Sequence, residues 1–373
     1  MIEVPLVDLK AQHAPLRDDI VTAMTAVLDE GRFILGDRVA ALEVAAARVV
    51  GTRHAIGVSS GTDALLAGLM ALGVGPGDEV VTTPFTFFAT AGVIARTGAR
   101  PVFVDIRRDT YNLDVEAAEA ACTERTKAIV PVHLYGQVAD MDAIVDLARR
   151  RSLAVVEDAC QALGASRTGH RAGASGDVGC FSFFPTKNVG ALGDGGLVTT
   201  NDDALAEKVR LLRTHGSADR REYAFVGGNF RLDALQAAVV SVKLPLLPEW
   251  NAARRANAAR YAALWARSGL VERGIVVPPT EAAGAHHIYH QYVVRVERRE
   301  ELRAWLADHR IGTGVYYASA LHLVSCFSGL GYQPGDLPEA EEAAQTALAL
   351  PVHPDLSPEQ LEHVVETVAA FYS

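Results

Sequence analysis

Short apolar segments alternate with helical patterns through the first two thirds of this chain of 373 residues. Such alternation is typical of a mainly parallel β-sheet wrapped by helices, because parallel strands need a crossover connection between them. We therefore predict an α/β fold with one large sheet. Its seven predicted strands lie near residues 54–58, 79–82, 101–105, 128–132, 153–157, 179–183 and 196–199.

The pattern changes beyond Pro245, where the predicted elements become a long helix, a strand and a further helix. A chain of this length with 49% hydrophobic residues can bury a large core and a subsidiary one. We predict a large domain with an N-terminal arm at residues 1–245 and a smaller C-terminal α/β domain at residues 246–373.

One lysine occupies an unusual place in this pattern. Lys187 follows the aromatic strand 181–184 and Pro185, and a glycine-rich turn at 193–196 comes after it. A lysine between an apolar strand and a glycine turn can be desolvated yet reachable, which lowers the pKa of its amine and allows it to form a Schiff base. An isolated lysine is more often a solvated loop residue, so this alternative stays open on the residues alone.

Two further segments follow predicted strands at the sheet edge where α/β proteins bind ligands. Asp158 ends an apolar strand, and a buried carboxylate needs a partner such as the ring nitrogen of pyridoxal phosphate, although a helix cap is an equal alternative. Ser60-Gly61-Thr62 opens a helix predicted to be strongly amphipathic, and free amide groups there would suit a phosphate, although such residues are usually simple caps.

Seven motifs, in this order along the chain, together resemble the DegT/StrS family of pyridoxal-phosphate-dependent nucleotide-sugar aminotransferases. The resemblance covers nearly the whole chain and implies the aspartate aminotransferase fold (fold type I of these enzymes). The motifs are Ser60-Gly61-Thr62-Asp63-Ala64-Leu65, Phe85 to Ala91, Pro101 to Asp105, Val132-His133-Leu134-Tyr135-Gly136-Gln137, Glu157 to Ala162, Phe181 to Lys187 and Gly228 to Asp233.

The resemblance implies a cofactor site for pyridoxal 5′-phosphate (PLP). The implied contacts are Lys187 for covalent attachment, Asp158 for the ring nitrogen, Gly61, Thr62 and Ser182 for the phosphate, Gln161 for the ring hydroxyl, Phe87 for stacking on the ring, and Asn229 for the phosphate of the neighbouring subunit. Without the resemblance, Phe87 would equally be ordinary core, Ser182 a satisfied core hydroxyl and Asn229 a turn residue.

The implied reaction moves an amino group from L-glutamate to a nucleoside-diphosphate keto sugar in a homodimer with shared active sites. Similarity around Tyr316 and His322 implies substrate contacts and favours 3-keto over 4-keto sugars. The loop departs from the family at Ala318 and Ala320, where prolines are usual, which weakens the substrate assignment there. The presence of Lys187 argues against a dehydratase branch of the family that has histidine at this position.

Composition excludes several other classes. A net charge of −10 argues against a nucleic-acid surface, and no apolar run approaches the roughly 18 residues of a membrane span, so we expect a cytoplasmic protein with neither partner. The histidines near residue 290 and His322 lack carboxylate or cysteine companions at metal-binding spacing, and we expect no metal. We also expect free thiols at the four cysteines, with Cys160 as a packing residue.

Two alternatives to an aminotransferase remain at this point. One is a non-catalytic, PLP-binding regulatory homologue. The other is a nicotinamide enzyme, which is weakened because the glycines at 73–77 follow a helix and precede a strand, the reverse of the order in a dinucleotide-binding loop.

Overall fold

The computed structural model of the chain describes residues 2–373 and contains the seven-stranded sheet that the alternation predicts. Each strand begins and ends within two residues of its predicted position. The strands are β1 (His54–Val58), β2 (Glu79–Thr82), β3 (Arg100–Phe103), β4 (Thr126–Val130), β5 (Ala154–Asp158), β6 (Ser166–Arg167), β7 (His170–Arg171), β8 (Val178–Ser182), β9 (Gly196–Thr200), β10 (Val276–Val277), β11 (Ala285–His286), β12 (Tyr292–Val296) and β13 (Ala347–Leu350).

The large sheet has the strand order β1-β9-β8-β5-β4-β2-β3. Strand β9 is antiparallel to both of its neighbours, and the other pairs are parallel, so the prediction of a mainly parallel α/β sheet is confirmed. The carboxyl ends of β5 and β8 therefore lie side by side at one edge, where Asp158 pairs with Cys180 in the ladder.

Helices cover both faces of this sheet because alternate strand residues point to opposite sides. Val155 packs in the core beneath α3, α7 and α9, whereas Val156 packs in the core around α4 and α8. The helices are α1 (Leu9–His13), α2 (Arg17–Glu30), α3 (Asp37–Val50), α4 (Gly61–Ala71), α5 (Ala89–Arg96), α6 (Val115–Ala121), α7 (Met141–Arg151), α8 (Asp203–Leu212), α9 (Ala234–Lys243), α10 (Leu247–Ser268), α11 (Arg299–Asp308), α12 (Pro338–Thr346) and α13 (Pro358–Phe371).

Helix α4 differs from its sequence prediction. Residues on nearly all of its sides are buried, since it packs between the sheet and both α5 and α8. Only Met70 among its apolar residues is half-buried, so the helix is not the strongly amphipathic surface element that its pattern predicts. Its amino end consequently lies at the edge formed by β5 and β8.

A second core gathers around the antiparallel sheet β10-β12-β13 with residues of α10, α11 and α13. This supports our proposal of a smaller domain after residue 245. The beginning of the N-terminal arm belongs with that core, however, because Val4 is fully buried in it and exchanges backbone hydrogen bonds with Arg310 and Gly312. The arm ends where α1 begins at Leu9, capped by Asp8.

Within residues 2–373, no helix has both the length and the apolar composition needed to cross a membrane.

Candidate active site

The carboxylate of Asp158 lies at the end of β5 and is 6% exposed. Its backbone is fixed on both sides, because its N–H donates to Pro131 and its carbonyl accepts from the N–H of His133. The side chain accepts from the Thr90 hydroxyl at 2.7 Å and from the Cys160 N–H at 3.2 Å. Since a carboxylate has about four acceptor positions, these bonds orient Asp158 and leave capacity for a further donor.

Lys187 lies in a tight turn that follows β8. Its N–H donates to the carbonyl of Phe184 at 2.9 Å, and Gly190 packs so closely on the turn that an added Cβ would lie 2.4 Å from the Pro185 oxygen. Burial lowers the pKa of the Lys187 amine, while Cys160 and Asp158 oppose part of that shift. The structure thus gives this lysine the desolvated environment that distinguishes a reactive amine from a solvated one.

A small cavity beside Lys187 brings several of the predicted residues together. Cys160, Gln161 and Ser182 line it, and so does His290 from the segment before β12. Burial raises the pKa of the Cys160 thiol well above its usual value, so this cysteine is a neutral packing group. The separate sequence signals around residues 158–161 and 182–187 therefore describe one site.

The amino end of α4 reaches the same place. Ser60 caps the helix by accepting the N–H of Asp63 at 3.0 Å, so the amides of Gly61 and Thr62 lie in the first turn, where a helix lacks internal acceptors. A Cβ on Gly61 would lie 2.8 Å from both Cys160 Sγ and Ser182 Cβ. Only glycine allows this helix end to approach Ser182 so closely.

Gln161 is held by two bonds that orient its amide. Its Oε1 accepts the Tyr135 N–H at 2.8 Å, and its Nε2 donates to the Tyr317 hydroxyl at 3.0 Å. The Tyr317 ring in turn lies 6.3 Å from the ring of Phe87, which is 58% exposed. Phe87 is thus not ordinary core: its ring stays largely open at the mouth of the site.

Two of the predicted residues lie away from this group. His322 does not reach an open surface, because its side chain is fully buried and its Nε2 lies 3.1 Å from Glu341 Oε1, so we withdraw it as a substrate contact. Asn229 is exposed, pairs with Thr214 in an isolated bridge and lines neither the cavity beside Lys187 nor the one that Tyr316 borders. Tyr316 is half-buried and lines a second cavity together with Thr186.

Sequence reasoning missed three residues that complete the site. Thr90 and Tyr317 hold Asp158 and Gln161, as described above, and the Nδ1 of His290 lies 3.0 Å from the Oδ1 of Asn188. Burial lowers the pKa of His290 well below its usual value, so its ring is neutral. Elsewhere in residues 2–373, no three His, Cys, Asp or Glu side chains are grouped as metal ligands.

The comparison with protein families matches residues 15–369 to the DegT/DnrJ/EryC1/StrS aminotransferase family. A protein of Geobacillus stearothermophilus named pleiotropic regulatory protein is 51% identical over 100% of this chain and 99% of its own. The UDP-N-acetyl-3-dehydro-alpha-D-glucosamine 3-aminotransferase of Acidithiobacillus ferrooxidans is 42% identical over 98% of this chain and 97% of its own.

A solved structure agrees in fold as well as in sequence. The crystal structure of Streptomyces venezuelae DesV, in complex with a ketimine intermediate, superposes with a TM-score of 0.95 at 42% identity and covers 100% of this chain and 99% of that one. The prediction of the fold type I architecture is therefore confirmed.

The residues of this chain fit PLP, the cofactor found in solved relatives in its PLP and PMP forms. Lys187 offers a desolvated amine, Asp158 a carboxylate with spare acceptor capacity, and Gly61 a helix end that a side chain would close. With the family match over nearly the whole chain, the predicted cofactor and enzyme class are confirmed. The chain is a PLP-dependent sugar aminotransferase and belongs to the DegT/DnrJ/EryC1/StrS aminotransferase family.

Proposed function

We propose that this enzyme transfers the amino group of L-glutamate to C3 of a keto sugar carried on a nucleoside diphosphate, in two half-reactions that share one site. The observation that carries the proposal is the desolvated amine of Lys187 beside the cavity lined by Gln161 and Ser182, with the carboxylate of Asp158 near enough to influence its pKa. When bound, PLP supplies an electrophilic carbon and a ring that accepts electrons.

Lys187 has two tasks in this proposal. It would hold the cofactor covalently, and its free amine would remove the proton from the donor α-carbon as a general base. The lowered pKa increases the fraction of neutral amine, which is the form that performs both tasks. In the second half-reaction the same amine returns a proton to the sugar carbon that receives nitrogen.

Asp158 places its carboxylate at the bottom of the site. Thr90 and the Cys160 N–H orient the carboxylate, so that its remaining lone pairs are available to a protonated ring nitrogen. We propose that Gly61, Thr62 and Ser182 bind the phosphate, that Gln161, oriented by Tyr317, approaches the ring hydroxyl, and that Phe87 covers the ring. Tyr316 remains a proposed substrate contact.

Two features support the finer points of substrate and assembly. The Acidithiobacillus relative is named for amination at C3 of a UDP-sugar, which supports C3 here. Exposed apolar side chains lie on the segments that carry Thr90 and Lys187, and they suit a homodimer in which Asn229 of one subunit reaches the phosphate site of the other. They are Phe87, Phe88, Phe184 and Leu192.

A regulatory function is the second candidate, because the Geobacillus relative carries that name. The two functions differ in single turnover. An aminotransferase converts bound PLP to its amino form when L-glutamate is added and releases one 2-oxoglutarate per site. A regulatory binder would keep the cofactor absorbance unchanged.

The full reaction identifies the sugar. We expect purified protein to move ¹⁵N from labelled L-glutamate to a uridine- or thymidine-diphosphate 3-keto sugar, with a ¹⁵N–¹³C coupling at C3 in the product spectrum. Label at C4 from a 4-keto substrate, with the 3-keto sugar untouched, would contradict the C3 assignment. Dependence of the reaction on added NAD(H) would contradict the mechanism as a whole.

A further inference from the structure

A buried arginine near the active site has no anionic partner. Arg254 on α10 is 5% exposed, and no carboxylate among residues 2–373 lies within 4.0 Å of its guanidinium. Its Nη1 donates only to neutral carbonyls, those of Tyr289 at 3.3 Å and His290 at 3.2 Å, and its buried Nε has no partner. Buried charges in proteins are normally paired, so this cation is built for a ligand that the chain itself does not supply.

The surroundings of Arg254 show how little it is compensated. Burial lowers the pKa of the guanidinium to about 10, and the more distant carboxylate of Asp355 opposes only part of that shift. The neighbouring His290 gives no charge of its own, because burial keeps its ring neutral. An anion bound to Arg254 would therefore interact with one positive charge, and little negative charge lies nearby to oppose it.

Arg254 lines a narrow, partly open cavity of about 30 Å³. Since a water molecule needs roughly 10–15 Å³, the cavity has room for about two oxygen atoms, as in a carboxylate. Polar groups from Thr186, His290, Gln291 and Tyr316 border it, and the Oε1 of Gln291 is a second buried atom without a partner. Leu6 and Val7 of the N-terminal arm close one side.

The cavity adjoins the reactive lysine. Thr186 precedes Lys187 in the same turn, and His290 lines both this cavity and the one that contains Lys187. A group bound to Arg254 is therefore a close neighbour of the amine that acts on the donor. In an α-amino acid, the carboxylate is separated from the reacting nitrogen by a single carbon.

We propose that Arg254 binds the α-carboxylate of the amino donor, with the Thr186 hydroxyl and the Gln291 amide N–H as further donors. This inference rests on the proposed function. A carboxylate fits the size of the cavity and supplies the negative charge that its lining lacks. The Nε of Arg254 also belongs to an edge of the guanidinium that binds carboxylates through parallel hydrogen bonds. Binding of the keto sugar does not need a carboxylate beside Arg254, so the two half-reactions should depend on Arg254 differently.

The experiment compares those half-reactions in Arg254→Gln, with Arg254→Lys as a charge-conserving control. We expect the rate constant over KM for L-glutamate and for L-alanine to fall about 100-fold in Arg254→Gln, the value typical of a lost charged hydrogen bond. Arg254→Lys should retain more of this catalytic efficiency than Arg254→Gln. The reverse half-reaction from the 3-amino sugar should change less than threefold.

A binding readout separates this inference from the proposed function. Glutarate, an inert dicarboxylate, should raise the melting temperature of the wild-type holoenzyme and compete with L-glutamate, and both effects should disappear in Arg254→Gln. Equal losses in both half-reactions, with glutarate binding retained, would overturn the inference. A wild-type holoenzyme that binds glutarate through Arg254 but performs neither half-reaction would instead contradict the proposed function.

A third variant covers the case in which Arg254→Gln fails to fold. Gln291→Leu removes the amide N–H that the proposal assigns to the carboxylate and leaves the buried arginine in place. We expect a loss of about tenfold in the glutamate half-reaction alone, typical of one neutral hydrogen bond. An unchanged or equal response of both half-reactions would count against a carboxylate in this cavity.

Discussion

The last two residues of β5 are carboxylates that the structure treats in opposite ways. Glu157 is fully buried and accepts four hydrogen bonds, from His133 Nε2 at 2.7 Å and from the N–H groups of Gly173, Ser175 and Gly176 at 2.8, 2.7 and 2.6 Å. Asp158, on the other face of the strand, accepts two. A saturated carboxylate can only hold the fold together, whereas an unsaturated one can still bind a ligand.

Electrostatics follow the same division. Burial alone would raise the pKa of Glu157, but the hydrogen bonds from His133 and the backbone outweigh it, and the pKa is lowered. His133 is fixed as the donor because its Nδ1 accepts the N–H of Ala139 at 3.1 Å. Glu157 is therefore a stable buried anion whose hydrogen-bond acceptors are all used within the chain.

Two lysines repeat this contrast. Lys187 has its amine beside a cavity, whereas Lys243 at the end of α9 donates to the carbonyl of Gly190 and to His13 Nε2, both at 2.7 Å. Burial lowers the pKa of both amines, to about 8 for Lys243. A lowered pKa is thus common to a functional and a structural lysine. They differ in hydrogen bonding, because the Lys243 amine donates to groups of the chain whereas the Lys187 amine lies beside a cavity.

The largest effect should come from Lys187→Ala. We expect turnover to fall by about 10⁴-fold or more, since both covalent attachment and proton transfer are lost. Borohydride treatment should no longer fix cofactor to the protein. Lys243→Met serves as the matched control and should keep the reducible bond. An adduct that maps to Lys243 in the wild-type protein would reverse our assignment of the two lysines.

Asp158→Asn should have the next largest effect. The amide keeps the size of the side chain and its bond from Thr90 but loses the charge, so we expect turnover to fall by about 10²–10⁴-fold. Cofactor should remain bound, and the melting temperature of the apoprotein should change little, because the carboxylate is not saturated in the fold. Stopped-flow spectra of the glutamate half-reaction check the first point and calorimetry the second. Near-normal turnover would remove Asp158 from its role.

Sequence patterns predicted the large sheet well because each strand is a short apolar run that a turn ends. They failed where tertiary contacts override local preference. The segment Ala347–Leu350 continues the helix-favouring composition of α12, yet it is a strand because it pairs with β12. The two-residue strands β6, β7 and β11 have no periodic signal at all.

The site was predictable to the extent that its residues lie in local motifs. Thr90 and Asp158 are 68 positions apart, and Gln161 and Tyr317 are 156 apart, so no local pattern connects them. The sequence gives only a weak indication of the contrast between Glu157 and Asp158. Glu157 directly follows the apolar residues Val155 and Val156, and a carboxylate buried there needs a partner. The identity of that partner, His133, follows only from the fold.

Glu157→Gln tests the structural side of the comparison. Removing the charge while keeping the size leaves the donors of His133 and three backbone amides with a weaker acceptor, and we expect a loss of about 2–3 kcal/mol in the free energy of unfolding. Turnover of the folded fraction should fall less than tenfold. Urea unfolding followed by circular dichroism measures the loss. A variant that is stable but inactive would show that Glu157, like Asp158, takes part in the chemistry.

The smallest effect concerns Lys243 and pH. Its pKa is about 8 in the folded chain, below its usual value in the unfolded one, so between pH 8 and about 10 the unfolded chain binds more protons and stability rises with pH. The rise should be on the order of 1 kcal/mol per pH unit. Below pH 8 both states are protonated and this contribution is constant.

Lys243→Met isolates that contribution, because other groups that titrate in this range are common to both proteins. Urea midpoints at pH 7.5, 8.5 and 9.5 should diverge, with the wild-type protein gaining relative to the variant as the pH rises. His13 does not disturb the comparison, since burial and Lys243 lower its pKa and it is neutral throughout the range. Parallel midpoints would mean that the Lys243 amine reaches water. Buried hydrogen bonds to Gly190 and His13 would then no longer distinguish this lysine from Lys187.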